Sequence, residues 1–363
     1  MRWDAGATND ARARHAPARV RARTMPGTGG AIRRMSRCGV FPGVAKVVVC
    51  RRGRVARSRS VEWESPVTNV SPLRGRLAVV TGAARGVGAA TARALAHRGA
   101  RVALLGREEA TLAAVAEPLP GDVRCWEVDV TDDAAMARVA QDIRGRMGPP
   151  SVVVANAGIA EGGPFAFSDP VTWRRTVEVN LIGSAVTARV FLPALLDTRG
   201  FFLQIGSLAC FGTSPLMSAY CASKAGVEAM THALRAELAH LGVDVGIAYL
   251  NWTDTDMIHD ADRHAVLREL RAHMPRPARR IYPVEVVAAR LVGQIERRSA
   301  TVYIPAWLRA VQAVRAALPP VVTWVSRREL PRLERESHLA PTGPLGPGGH
   351  AARERGGSPV PRG

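Results

Sequence analysis

The sequence predicts an α/β fold, a doubly wound parallel sheet of seven strands with helices on both faces. Three observations carry that expectation. Short apolar runs alternate with helical stretches of roughly 10–25 residues from Arg76 to Ile304, and this alternation builds right-handed βαβ units around one parallel sheet. The first apolar run ends in a glycine-rich turn that opens a helix. Gly82, Arg107, Asp129, Asn156, Ser207 and Thr255 each follow a strand end, so the topology gathers them on the carboxyl rim, where such sheets hold ligands.

Leu77-Ala-Val-Val-Thr81 reads as a buried first strand, followed by Gly82-Ala-Ala-Arg-Gly86-Val-Gly88 and a helix over Ala89 to Arg98. Glycines allow a tight turn and close approach of backbone to a pyrophosphate, and the helix start adds free N–H groups and a positive dipole end. The spacing is Gly-x-x-x-Gly-x-Gly, so a plain tight turn also fits. The second strand, Arg101 to Leu105, ends in Gly106-Arg107 with no acid before Glu108 and Glu109. An acid near this point would accept from a ribose hydroxyl, whereas an arginine accommodates a 2′-phosphate. Arg107, with Arg85 in the turn, therefore favours NADP(H) over NAD(H), against the alternative of two solvated arginines.

Val123 to Val128 is the third strand, ending at Asp129, and Asp132 is placed to cap a helix running through Arg146. Ser151 to Ala155, the fourth strand, runs into Asn156-Ala157-Gly158. A helical region around Trp173 to Leu196 contains Asn180, a residue disfavoured inside a helix unless its amide bonds something. Phe201 to Gly206, Val243 to Leu250 and Thr301 to Ile304 supply strands five to seven. Helices over Ser218 to Leu241 and Pro283 to Arg298 lie between the last three.

The stretch from Ile205 to Lys224 carries the sharpest chemistry. Ser207 ends an apolar strand, and Tyr220 and Lys224 stand four apart at a helix start, hence on one face. Tyrosine titrates near ~10. A neighbouring ammonium favours phenolate and moves the group towards the range where acid–base work is efficient. A surface Tyr–Lys pair is the bland alternative, and a buried Asn180 bonded only to backbone is the bland reading of that residue.

Net charge is +19 over 363 residues, and its distribution is uneven. Residues 1–72 hold fifteen Arg or Lys against four Asp or Glu, a net +11. Rich in Arg, Ala, Gly and Pro, this segment lacks the apolar surface needed to order itself. A disordered basic tail, an Arg-rich organellar presequence and an extension upstream of the true start at Met25 or Met35 all fit. Nucleic-acid or anionic-surface binding by this segment is a rival role, and no specific nucleic-acid partner is expected. The five cysteines, Cys38, Cys50, Cys125, Cys210 and Cys221, show no metal or redox spacing and fit a reducing, cytoplasmic compartment. No uncharged apolar run of about 18 residues or more is present to span a bilayer.

Taken jointly, Thr81-Gly-Ala-Ala-Arg-Gly-Val-Gly88, Asp129-Val130, Asn156-Ala-Gly158, Asn180, Ser207 and Tyr220-x-x-x-Lys224 resemble the short-chain dehydrogenase/reductase family over roughly residues 74 to 304. The resemblance implies a Rossmann-like catalytic domain, placed at 73–304. It also implies hydride transfer between NADP(H) and a carbonyl or alcohol carbon. It casts Tyr220 as general acid/base, Lys224 as holder of the nicotinamide ribose and depressor of the Tyr220 pKa, and Ser207 as donor to the carbonyl oxygen. Asn180 would anchor a water in a proton relay. Gly82, Arg85, Gly86, Val87 and Gly88 would line the pyrophosphate and its surroundings; Asp129 and Val130 the adenine; Asn156, Ala157 and Gly158 the cofactor's inner wall. The family commonly forms dimers or tetramers. A cofactor-binding redox sensor of the same fold, without turnover, is the alternative.

One departure stands out. Where the family has Pro-Gly before a cofactor-binding Thr, this chain has Leu250-Asn251, with Thr255 in the Thr position. Asn251 tolerates the left-handed conformation that the glycine would have supplied. The loops Phe211–Met217 and 257–274, together with Trp252, are apolar and favour a lipophilic ketone or alcohol over a sugar; ordinary core packing is the alternative explanation of that content. Beyond Ile304, Trp307, Val311, Val314 and Leu318 form one helical stripe. Pro319-Pro320 is expected to break that helix before a second apolar run, Val321 to Val325. This extension, 305–337, has three roles open to it: packing on a partner subunit, capping a hydrophobic substrate entrance, or lying at a membrane surface through 305–325. Residues 338–363, rich in Gly and Pro, read as a disordered tail.

Overall fold

The computed structural model describes residues 70–212, 214–336 and 340–356. The reading of 1–72 as a basic extension therefore falls, up to residue 69, outside the described residues.

The elements follow the expected order. They run β1 (Leu77–Thr81), α1 (Gly86–His97), β2 (Arg101–Gly106), α2 (Glu109–Ala116), β3 (Val123–Glu127), α3 (Asp133–Met147), β4 (Val152–Ala155) and a short β5 (Glu161–Gly162). Next come α4 (Pro170–Val177), α5 (Gly183–Thr198), β6 (Phe201–Ile205), α6 (Ser218–Leu238), β7 (Asp244–Leu250), α7 (Asp256–Arg263), α8 (Ala265–Ala272), α9 (Val284–Glu296) and β8 (Thr301–Ile304). The chain continues through α10 (Leu308–Ala313), α11 (Leu318–Glu336), β9 (Gly343–Pro344) and α12 (Gly346–Gly356). Asp132 caps α3 as expected, accepting from the Ala135 N–H at 2.9 Å.

Seven strands form one sheet in the order β3-β2-β1-β4-β6-β7-β8, and every pairing within it is parallel. Alternate residues of each strand face opposite layers. On one side Ala78, Val80, Val102, Leu104, Val154 and Leu203 pack with α1, α2 and α9 residues. On the other, Leu77, Val79, Ala103, Leu105, Val153 and Phe202 pack with α3, α5 and α6 residues. Both faces of the sheet are covered, which is why its central strands β1, β4 and β6 are buried along their length and read as nearly continuous apolar runs. The strand order reverses between β1 and β4, so the helices that follow these strands diverge and leave a crevice at their carboxyl ends.

The region around Asn180 is not one regular helix. Five residues, Glu178–Ile182, form a π-turn between α4 and α5. The stretch Pro170–Thr198 is long and apolar enough by composition to cross a bilayer, yet half of its most apolar window is buried inside the protein.

Two expectations for the C-terminal part are corrected. The helix break comes at Val314, before the prolines, and Pro319 and Pro320 sit in the first turn of α11. First-turn N–H groups have no intrahelical partner, so proline costs nothing there. The reading of 338–363 as disordered fails for residues 340–356, while 338–339 and 357–363 lie outside the described residues. β9 pairs antiparallel with β5, the Leu345 N–H donates to the Ala160 carbonyl at 2.8 Å, and Leu345 is buried beside Met217, Ala261 and Leu267. An open strand edge and one leucine pocket hold a segment whose composition alone suggests no order.

Candidate active site

A cleft of about 1050 Å³ opens at the carboxyl ends of the strands. Its wall contains Gly82, Arg85, Gly86, Val87, Arg107, Asp129, Val130, Asn156, Ala157, Gly158, Ser207, Tyr220, Lys224 and Thr255. Of the residues singled out by sequence, only Gly88 and Asn180 lie behind that wall.

The glycine turn is shaped by close packing. Gly82 has φ +62°, and a Cβ there would stand 2.8 Å from the Ala157 Cα. A Cβ on Gly88 would meet the Gly82 carbonyl oxygen at 2.1 Å, so Gly88 serves helix–strand packing. The turn is pinned from β4: the Asn156 amide donates to the Thr81 and Gly82 carbonyls at 3.0 and 3.1 Å. The Thr81 hydroxyl in return accepts from the Asn156 and Ala157 N–H groups at 3.1 and 3.2 Å. No side chain caps α1 and no acid stands in its first turn, which leaves the dipole end directed at the cleft. This cradle fits the diphosphate of a dinucleotide.

At the end of β2, Arg107 lies 3.3 Å from the Asp129 carboxylate, and Arg85 pairs with Glu108. Asp129 also pairs with Arg175, and Thr131 donates to it from its N–H at 3.0 Å and its hydroxyl at 2.7 Å. Burial alone would raise the Asp129 carboxyl, but the Thr131 bonds and the two guanidinium groups hold it below the ordinary carboxylate range. Both arginines thus reach the cleft as members of ion pairs, an arrangement the sequence did not reveal.

Ser207 begins a 3₁₀ turn, Leu208–Phe211, and its hydroxyl accepts from the Ala209 N–H at 3.1 Å. Lys224 is buried and donates to the Ile205 carbonyl at 3.1 Å, with its Nζ 5.7 Å from the centre of the Tyr220 ring. The expectation that this pair favours phenolate is not met by the protein alone. Burial pushes the Tyr220 phenol up to about 12, against the opposing hydrogen bond with Ser207. Burial also lowers the Lys224 ammonium, with Cys210 acting the other way. An apolar site disfavours both charged forms, and that outweighs an attraction across more than 5 Å.

Asn180 is fully buried under the cleft. Its amide accepts from the Ile159 N–H at 2.8 Å and donates to the Ile159 carbonyl and to the Ser223 hydroxyl, both at 2.9 Å. Ser223 in turn donates to the Tyr220 carbonyl at 2.8 Å. Asn180 therefore braces the exit of β4 against the helix that carries Tyr220, and its bonds reach beyond backbone.

The loop after β7 keeps an extended path. Asn251 does not adopt positive φ; its N–H continues the ladder to the Ile304 carbonyl at 3.0 Å. Its amide donates to the Ala278 and Arg280 carbonyls at 3.1 and 3.2 Å. The asparagine thus replaces a turn-forming glycine with side-chain bonds that hold the 278–280 segment. Thr255 packs its methyl against Gly86, where a Cβ would come within 3.0 Å of it. Trp307, Val311, Leu318, Val322 and Val325 from the extension also line the cleft, as do Leu345 and Ala352 from the tail.

With this geometry in view, the family model for short chain dehydrogenases matches residues 76–265. The chain belongs to the short-chain dehydrogenase family. An uncharacterized oxidoreductase of Staphylococcus saprophyticus is 32% identical over 195 residues, 52% of this chain and 83% of that protein. A galactitol 2-dehydrogenase (L-tagatose-forming) of Cereibacter sphaeroides is 34% identical over 223 residues, 60% of this chain and 87% of that one. The crystal structure of a metagenomic short-chain oxidoreductase in complex with NADP is similar, with TM-score 0.53 and 28% identity, over 64% of this chain and 97% of that chain. The chain is accordingly an oxidoreductase of this family, built to bind a nicotinamide cofactor and a small-molecule substrate.

Proposed function

We propose that this dehydrogenase moves a hydride between NADP(H) and the carbonyl or secondary-alcohol carbon of a lipophilic small molecule. The observation that carries the reading is the convergence of Ser207, Tyr220 and Lys224 beside a glycine cradle on one cleft wall. Bound cofactor supplies or accepts the hydride; the protein's own work is to hold the reactants and handle the proton. In the reductive direction the Tyr220 hydroxyl donates its proton to the carbonyl oxygen, and Ser207 hydrogen-bonds the same oxygen as charge develops there. Lys224, held by the Ile205 carbonyl with its Nζ 5.7 Å from the centre of the Tyr220 ring, would bind the nicotinamide ribose. Arg107 and Arg85 favour the 2′-phosphate of NADP, and the NADP complex of the similar metagenomic oxidoreductase supports that preference.

The apolar residues that the extension and tail add to the cleft support a lipophilic substrate. Consumption of NADPH with ketones of increasing chain length tests this reading. Turnover that improves with chain length supports it. Tight NADPH binding without turnover across ketones, aldehydes and alcohols would favour a redox sensor instead.

A further inference from the structure

The catalytic helix carries a second buried charge that proton transfer does not use. Glu228 lies four residues after Lys224 on α6 and is 4% exposed. Burying a carboxylate costs several kcal/mol unless it is paired and hydrogen-bonded. The Tyr249 hydroxyl of β7 donates to its Oε1 at 2.6 Å, and the guanidinium of Arg315 donates to the same oxygen at 2.9 Å. Arg315 comes from the extension, between α10 and α11.

The other end of the guanidinium does something different. Its second terminal nitrogen donates to the Cys210 carbonyl at 3.3 Å, while the group lies over the Phe211 ring at 5.8 Å from the ring centre. Cys210 belongs to the 3₁₀ turn that Ser207 begins, and its buried sulfur accepts from the Ser207 N–H at 3.3 Å. One planar fork therefore joins the helix bearing Tyr220 and Lys224 to the turn bearing Ser207.

We infer that Arg315 is a positioning residue, which sets the separation of Ser207 from Tyr220 by bridging Glu228 and the Cys210 carbonyl. The inference rests on the roles proposed above for Ser207 and Tyr220. It gives the extension a catalytic purpose beyond covering the cleft. A rigid fork is needed for it, because a lysine holds a point charge and cannot span two acceptors in fixed geometry.

Arg315→Lys and Arg315→Met separate this role from charge neutralisation. Lysine at 315 keeps a cation beside Glu228 and leaves unfolding stability near that of the parent, whereas methionine does not. Both variants lose the bridge. Amide hydrogen exchange in 207–211 rises in both, with exchange in the 82–88 turn unchanged. Turnover of a medium-chain ketone at saturating NADPH falls about 10- to 100-fold in both, the scale expected for a misplacement of about 1 Å. The NADPH dissociation constant stays within about twofold. Parental exchange at 207–211 and parental turnover in Arg315→Lys would overturn the inference and reduce Arg315 to a counter-ion. Should the parent protein turn over no carbonyl compound, the proposed function fails, and the exchange measurement still decides whether Arg315 tethers the turn.

Discussion

Replacing Asn180 by alanine is a severe test of the brace beneath the cleft. The substitution removes three hydrogen bonds of 2.8 to 2.9 Å and strands the N–H and carbonyl of Ile159, itself 4% exposed. A buried backbone group left unpaired costs about 1–3 kcal/mol. Two such groups bring the expected loss to about 2–6 kcal/mol, a large part of the roughly 5–15 kcal/mol that a domain possesses. Urea unfolding of both proteins measures the difference directly. Asn180→Asp refines the test, since its carboxylate accepts from Ile159 but cannot donate to the Ile159 carbonyl or to Ser223 without taking up a proton. It is expected to lose stability as well, and to recover part of it at acid pH. A loss below about 1 kcal/mol for alanine would refute the argument, because the Ile159 groups would then have to find other partners.

Other outcomes follow from the same geometry. Arg107→Ala is expected to weaken NADPH binding more than NADH binding, shifting the ratio of their dissociation constants by about tenfold, or ~1.4 kcal/mol; fluorescence titration with each cofactor measures it. Glu161 is buried beside the tail strand, and burial, with Asp169 adding to it, raises its carboxyl from 4.5 to about 7. A raised folded-state pKa gives stability that is complete below about pH 4.5 and is lost as pH rises towards about 7. Glu161→Gln should therefore match the parent near pH 4 and exceed it above about pH 7, by up to about 3 kcal/mol, in thermal or urea unfolding followed across pH.

Much of this was legible in the sequence because the succession of strands and helices and the glycine spacing are local patterns. β1 to β4 and the glycine turn are written in contiguous residues, and Ser207, Tyr220 and Lys224 lie within one turn–helix segment. What stayed hidden depends on contacts between distant residues. Nothing near Arg107 or Asp129 in sequence announces Arg175 as a competitor for the same carboxylate. Arg315 and Glu228 are 87 positions apart, and either alone reads as a solvated charge. The depressed Tyr220 pKa was expected from the spacing to Lys224, but spacing does not report burial, which proves the larger effect. Asn251 was expected to imitate glycine through its backbone; it uses its side chain instead. Composition misjudged the tail because an open strand edge, buried Leu345 and Ala352, and hydrogen bonds from Gly162 to Thr342 and from Gly346 to Asp260 order it.

The central claim is that Tyr220 handles the proton in a hydride transfer, and Tyr220→Phe tests it most directly. The change removes one hydroxyl from the cleft wall while the glycine cradle, Arg107 and Lys224 stay in place. Turnover of NADPH with the best ketone is expected to fall by about two to four orders of magnitude, the scale of lost general acid catalysis, with the NADPH dissociation constant unchanged within about twofold. Turnover near the parent rate would contradict the account and move the acid/base role away from Tyr220.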